Sequence, residues 1–473
     1  MVDGFFIIQT MAKKVAKKGS KKLLNAWAFY DWANSVYTLT IASSIFPIFY
    51  ASLFSSKEEL VTAFGFQMKQ TVLIELVTAF TFLVVAISSP ILSGIADYIG
   101  NKKNFMKFFC YLGSIGCLGL YWFNLDYIHT SLLFYFMGLL GYWGSLVFYN
   151  SYLPDIAFEE QQDSISAKGF SMGYIGSVLL LLLNLFMVMK PNYFGFDISI
   201  ADSILNTGTE EEIVIATKKA KDIASLEAMR ISFITVGLWW TLFSQYTFSV
   251  LPKGISSGQK VNKEVLLNGF RELKTVWKEL KKNLRLKRYL EAFFVFSMAV
   301  QTIMLVAVYF GEKEIGWGDK EAKTIGLIIS ILVIQLVAIL GAFLTSKASS
   351  KFGNIKTLIV VNIIWMGLCV YAFFMKTPID FYIGAALVGL VMGGVQALAR
   401  STYSKFLPET EDTTSYFSFF DVAEKIGIVI GMILFAVVDH KYNMRYAILF
   451  LVIFFLIGVL LLFRVPKEDE VSD

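Results

Sequence analysis

Polar side chains that could carry chemistry stand where a membrane-length apolar run should have few. Asp31, Asn34 and Ser35 sit at i, i+3 and i+4 within the run from Ala26 to Phe54, and Thr38 continues the same helix face one turn later. A carboxylate in the middle of an inserted helix costs on the order of 2.5 to 3.5 kcal/mol, so Asp31 is a functional-site candidate by default. Its chemistry would be that of a protonatable group or of a seat for a substrate amine. The competing reading is an interfacial anion near the helix start, favoured by the positive end of the helix dipole, with Trp27, Tyr30 and Trp32 as an aromatic belt.

A second polar group interrupts a late apolar run. Asp421 and Lys425 are at i and i+4, a spacing that suits an internal ion pair and lowers the insertion cost of both; Glu424 is left without a partner. Lys425 is also placed to attract a solute carboxylate. Gln396 and Arg400 are again i and i+4, the glutamine deep in its run and the arginine near the end, where its long stem would let it snorkel. Asn34, Gln301 and Gln396 would supply neutral hydrogen bonds, while Glu75 lies near the outer end of its run and reads as interfacial. Enzyme chemistry finds no support. His129 and His440 fall in loops with no nucleophile-base or metal constellation, and Cys110, Cys117 and Cys369 all lie inside apolar runs. No Gly-rich loop ends in Gly-Lys-Ser/Thr, so energy would come from a gradient, with a proton as the coupling ion. No cofactor, metal or nucleic acid is implied.

The elements that must position these residues are apolar helices. With 56% hydrophobic and 17% charged residues, the 473-residue chain is a polytopic membrane protein. Runs of spanning length fall near 26–54, 72–99, 104–124, 129–153, 164–189 and 229–251, then near 289–311, 322–346, 355–375, 379–404, 414–439 and 443–464. The expected fold is an all-α membrane protein of twelve transmembrane helices in two six-helix halves. An even count puts both termini on one side, and the six lysines from Lys13 to Lys22 put that side in the cytosol. The loops assigned to the cytosol carry roughly twice the Lys and Arg of the others, although 154–168 holds Asp155, Glu159, Glu160 and Asp163 against Lys168. Pro47 would bend the first helix.

The chain therefore divides into a basic cytosolic tail (1–25), an N-terminal half (26–251), a basic cytosolic linker (252–288), a C-terminal half (289–464) and a short tail (465–473). Translation could equally start at Met11. The linker carries 11 Lys and Arg, and Leu266, Phe270, Leu273, Trp277, Leu280 and Leu284 mark one apolar stripe. An amphipathic helix on the inner membrane surface and a linker helix packed on the bundle both fit. Two repeated halves are a transporter pattern, with solute at their interface near the midplane.

The residues also carry a resemblance. Trp27-Ala28-Phe29-Tyr30-Asp31-Trp32-Ala33-Asn34-Ser35, with Phe46-Pro47, resembles the opening signature of the vacuole-effluxer-like family of major facilitator transporters. That family includes fungal vacuolar amino-acid effluxers linked to autophagy and bacterial members. Asn150 to Asp155, Ser166 to Phe170 with Gly173 and Gly176, Gly393 to Ser401, Leu407-Pro408-Glu409, and Phe417, Phe419, Phe420 and Lys425 match as well. Gly94, Asp97, Gly100, Lys102 and Lys103 fit the major facilitator loop signature between the second and third helices, and Ser349 to Lys356 holds a degenerate copy. Gly100 permits a tight turn and the lysine pair holds the cytosolic side.

The resemblance implies that Asp97 looks across to the start of the eleventh helix and closes the cytosolic gap. The Arg that the superfamily often adds on the fourth helix is absent from 129–153. Ser297-Met298-Ala299 stands before Val300-Gln301-Thr302 where family members often carry Asn-Asp-Gly, which removes a carboxylate from the seventh helix. Ser418 and Met432 replace a usual Gly and Pro. Taken with the apolar runs, the resemblance implies a monomeric secondary transporter in a bacterial plasma membrane, moving a small organic solute such as an amino acid by alternating access. The alternative is a non-transporting receptor or scaffold on the same fold, with the basic linker as its partner surface.

Overall fold

The computed structural model describes residues 17–56, 59–199, 209–253 and 263–467. Long helices dominate: α1 (Lys21–Ser52), α2 (Gln70–Ile99), α3 (Lys102–Trp122), α4 (Ile128–Ile156), α5 (Glu159–Met189), α6 (Glu210–Val250), α7 (Leu284–Glu314), α8 (Lys320–Phe352), α9 (Asn354–Phe374), α10 (Pro378–Lys405), α11 (Thr413–Lys441) and α12 (Met444–Phe463). Among the described residues, ten of these are long and apolar enough to cross a membrane. The other two are α6 and α11. Asp421, Glu424 and Lys425 dilute the apolar character of α11 at its middle.

α1 is built in pieces. A regular helix from Lys21 to Val36 passes into a π-helical stretch, Tyr37–Ala42, and helix resumes at Ile45. The break precedes Pro47, which sits in the first turn of the last piece, where its missing N–H costs nothing. The irregularity expected at Pro47 falls earlier, in a π segment that begins two residues after Ser35 and includes Thr38 of the polar stripe. Between α1 and α2 lies an unanticipated hairpin, β1 (Leu60–Ala63) and β2 (Phe66–Lys69), paired antiparallel with Leu60 opposite Lys69. Its two turn residues, Phe64 and Gly65, both take positive φ. α6 begins well before the apolar run at 229, because Thr209 and Glu212 form a reciprocal capping box at its start.

Each half buries its own apolar core, one centred on α1, α3, α4 and α6, the other on α7, α9, α10 and α12. α8 and α10 approach closely through glycine: a Cβ at Gly389 would lie 2.5 Å from the Ile334 carbonyl oxygen. The outer faces stay apolar, as at Leu340, Phe343 and Leu344 on α8, which suits lipid contact. A linker helix, Lys263–Lys282, lies against α2. Leu266, Phe270 and Leu273 lie outside the residues whose side chains are described. In the rest of the stripe Leu280 is buried, Trp277 and Leu284 are a little under half exposed, and Val276, which the stripe left out, is fully buried. The Trp277 ring lies against that of Phe419, 5.3 Å between centroids, and Tyr416 donates to Glu279 at 3.0 Å, so this helix packs on the start of α11.

Candidate functional site

Asp31 lies at the contact between the halves. α1 packs on α5 where α5 presents glycine: a Cβ at Gly169 would fall 2.5 Å from the Asp31 carboxylate, and one at Gly173 2.5 Å from the Ser35 hydroxyl. Trp27, one turn before Asp31, donates to the Tyr149 carbonyl at 2.9 Å and stacks on the Tyr149 ring at 4.6 Å. That fixes the α4 tyrosine so that its hydroxyl donates to Asp31 Oδ2 at 2.8 Å.

The counter-charge comes from the other half. Arg400 on α10 is 4% exposed and does not snorkel; it reaches across to Asp31. Both of its terminal nitrogens lie 3.4 Å from Asp31 Oδ2. The remaining donors are used too: Nε donates to the Ser166 hydroxyl at 3.0 Å, Nη2 to the Ser166 carbonyl at 3.0 Å, and Nη1 to Asn150 Oδ1 at 3.2 Å. The guanidinium is flanked by the rings of Phe170, Trp27 and Tyr149 at 4.3, 4.8 and 5.4 Å. Deleting either member of such a pair strands a buried charge at a cost of about 3–5 kcal/mol. Asn34, on the same face of α1, stays outside this network. It is fully buried, takes a 3.3 Å bond from Ser35, and among the described residues its Nδ2 has no partner.

The second cluster centres on Lys425. Its ammonium donates to Asp421 at 2.7 Å and to Glu424 at 3.1 Å, and lies 3.9 Å over the Trp143 ring of α4. Glu424 is therefore not the unpartnered acid that spacing suggested, because Gln301 on α7 also donates to it at 2.7 Å. A carboxylate thus stands beside the seventh helix after all, supplied by α11. The second oxygen of Asp421 is buried and, among the described residues, has no hydrogen-bond partner. Gln396 bridges the halves, accepting from Tyr174 at 3.1 Å while its Nε2 lies 3.4 Å from Met304 Sδ.

Two latch-like sets of contacts join the halves at the end of the bundle that carries the linker. α2 ends at Gly100, with φ 70, where the Gly100 N–H bonds the Asp97 carbonyl and the Asn101 N–H that of Ala96. The turn leaves Asp97 at the helix end, where it accepts from the backbone N–H of Ser415 at 2.6 Å and of Thr414 at 3.3 Å, the first turn of α11. The contact implied by the loop signature is present. Gly94 is buried one turn earlier. Lys102 takes the bridging place, donating to Thr413 of α11 at 2.9 Å, to the Ser151 carbonyl at 3.0 Å and to Asp155. Lys103 turns inward instead, donating to the Leu251 carbonyl at 2.6 Å.

The second latch was not anticipated. Asp163 on α5 accepts from Lys405 at 2.8 Å, and from Ser349 and Asn354 at 2.9 Å each. Ser349 and Asn354 belong to the degenerate copy of the loop signature, so each half's loop reaches the other half. In the second latch the carboxylate sits on the opposite partner. The readable signal was an acid in the first turns of the fifth helix, at the place that α11 fills in the other half.

Comparison with known proteins agrees with this architecture. The family model described as "Vacuole effluxer Atg22 like" matches residues 19–472. The chain is 31% identical over 449 residues to an uncharacterized MFS-type transporter, YxiO, of Bacillus subtilis, covering 94% of this chain and 95% of that protein. It is 23% identical over 331 residues to autophagy-related protein 22 of Vanderwaltozyma polyspora, covering 64% of this chain and 55% of that one. Among solved structures, the major facilitator transporter FucP in its outward conformation superposes with a TM-score of 0.67 at 15% identity, over 94% of this chain and 98% of that one.

Proposed function

Since the chain belongs to the Atg22-like vacuole effluxer family and has the major facilitator fold, we propose that this multi-pass membrane protein is a secondary transporter that moves a small organic solute by alternating access, with a proton as the coupling ion. All twelve long helices cross the membrane in this reading, and the basic linker end faces the cytosol of a bacterial cell. Amino acids are the first solutes to try. One observation carries the proposal: a buried carboxylate on one half is neutralised by a cation on the other, at an interface closed by two latches at one end. When that end opens, Arg400 leaves with its own half, and Asp31 must gain a proton or another cation or remain as a bare charge in a poorly solvated site. Protonation of Asp31 then ties the conformational change to a proton gradient.

The test uses proteoliposomes loaded with a pH-sensitive dye and challenged with amino acids, peptides, sugars and nucleosides. Solute-dependent proton movement is expected for at least one class and is expected to vanish in Asp31→Asn. Proton movement that Asp31→Asn leaves intact would remove Asp31 from coupling.

A further inference from the structure

The Asp31 site is lopsided. Among the described residues, everything that holds the Arg400 guanidinium belongs to the N-terminal half: Trp27 and Asp31 on α1, Tyr149 and Asn150 on α4, Ser166 and Phe170 on α5. Only the cation comes from the C-terminal half. Movement of one half against the other withdraws the guanidinium and leaves its box intact, with a carboxylate at the base, carbonyl and amide oxygens at the edge and three aromatic rings around it. A proton would neutralise the carboxylate but would leave the ring faces and the acceptors of Ser166 and Asn150 unused. A planar or tetrahedral organic cation would use them all.

We infer that the vacated box is a binding site for the cationic head of a solute, a guanidinium or substituted ammonium, and that Arg400 is a tethered occupant that the solute replaces when the linker end opens. The inference rests on the alternating-access reading and names the chemical class that the same site selects. It also fixes the order of events. The solute enters the box only from molecules whose latches are released, so its apparent affinity scales with the fraction of such molecules.

Calorimetric titration of the purified full-length protein with methylguanidinium, and with methylurea as a neutral analogue of similar shape, tests this. The wild type is expected to bind methylguanidinium and not methylurea. Asp97→Asn, which weakens a latch without touching the box, is expected to bind the cation at least about fivefold tighter. Phe170→Leu should weaken binding about threefold to tenfold through loss of one ring face, and Asp31→Asn should abolish it. The inference is overturned if neither wild type nor Asp97→Asn binds the cation, if Asp97→Asn binds no tighter than wild type, or if methylurea binds equally well. Binding at equilibrium in detergent does not require flux. A protein that ignores methylguanidinium yet still moves protons with a solute in vesicles would refute the cationic class and leave the transport reading standing.

Discussion

Removal of one charge from the Asp31 site should do more harm than removal of two. In Arg400→Ala the carboxylate stays buried with, among the described residues, only the Tyr149 hydroxyl to hold it, a loss of about 3–5 kcal/mol in the closed state. In the Asp31→Asn/Arg400→Ala double variant no stranded charge remains, so the apparent melting temperature in detergent should recover more than half of what the single Arg400 variant loses. Additive losses would mean that the two groups do not act as a pair. Asp31 was legible in the sequence because a lone carboxylate stands out in an apolar run. Its partner was not, because the two residues are 369 positions apart and nothing in a helical period says which faces meet. The same blindness left Glu424 without a partner, since Gln301 lies 123 residues away on α7.

In the transport reading, helix termini carry the switching chemistry. Asp97 is held by two backbone N–H groups in the first turn of α11, where the helix dipole adds to the hydrogen bonds. Asparagine keeps the shape and loses the charge. Asp97→Asn is therefore expected to raise the labelling rate of a cysteine at Ser151, on the α4 side of that contact, by a membrane-impermeant thiol reagent added from the linker side. Asp163→Asn, which removes the charge and one of the two acceptor oxygens that Lys405, Ser349 and Asn354 share, should do the same for a cysteine at Thr402. Unchanged labelling in both would show that the latches do not hold this end closed. The first latch was readable because its glycine, acid and lysine pair form a compact local signature; the second was not, because its acid lies on a different helix from its loop. Element boundaries divide in the same way. The Thr209 capping box announces the long start of α6 in plain sequence terms, whereas the π segment after Val36 depends on packing that no local pattern encodes.

At the scale of the whole molecule, two apolar cores lie side by side, and polar groups are concentrated where they meet. Ser166 donates to the Ala397 carbonyl at 2.7 Å, Tyr174 meets Gln396, and Ser151 faces Thr414 with 3.3 Å between hydroxyl oxygens. Apolar contact alone would leave the interface without register, while directional bonds let it be closed or open with little in between. The last of these pairs offers a direct test, because its side chains come from α4 and α11, one from each half. Cysteines placed at both positions have sulfurs within reach of each other, and the native Cys110, Cys117 and Cys369 are all buried. Mild oxidation of Ser151→Cys/Thr414→Cys in proteoliposomes should form the cross-link and lower solute-dependent proton movement at least about tenfold, and reductant should restore it. A cross-linked protein that still carries protons with solute at the full rate would mean that the linker end need not open, and alternating access between these two bodies would have to be abandoned.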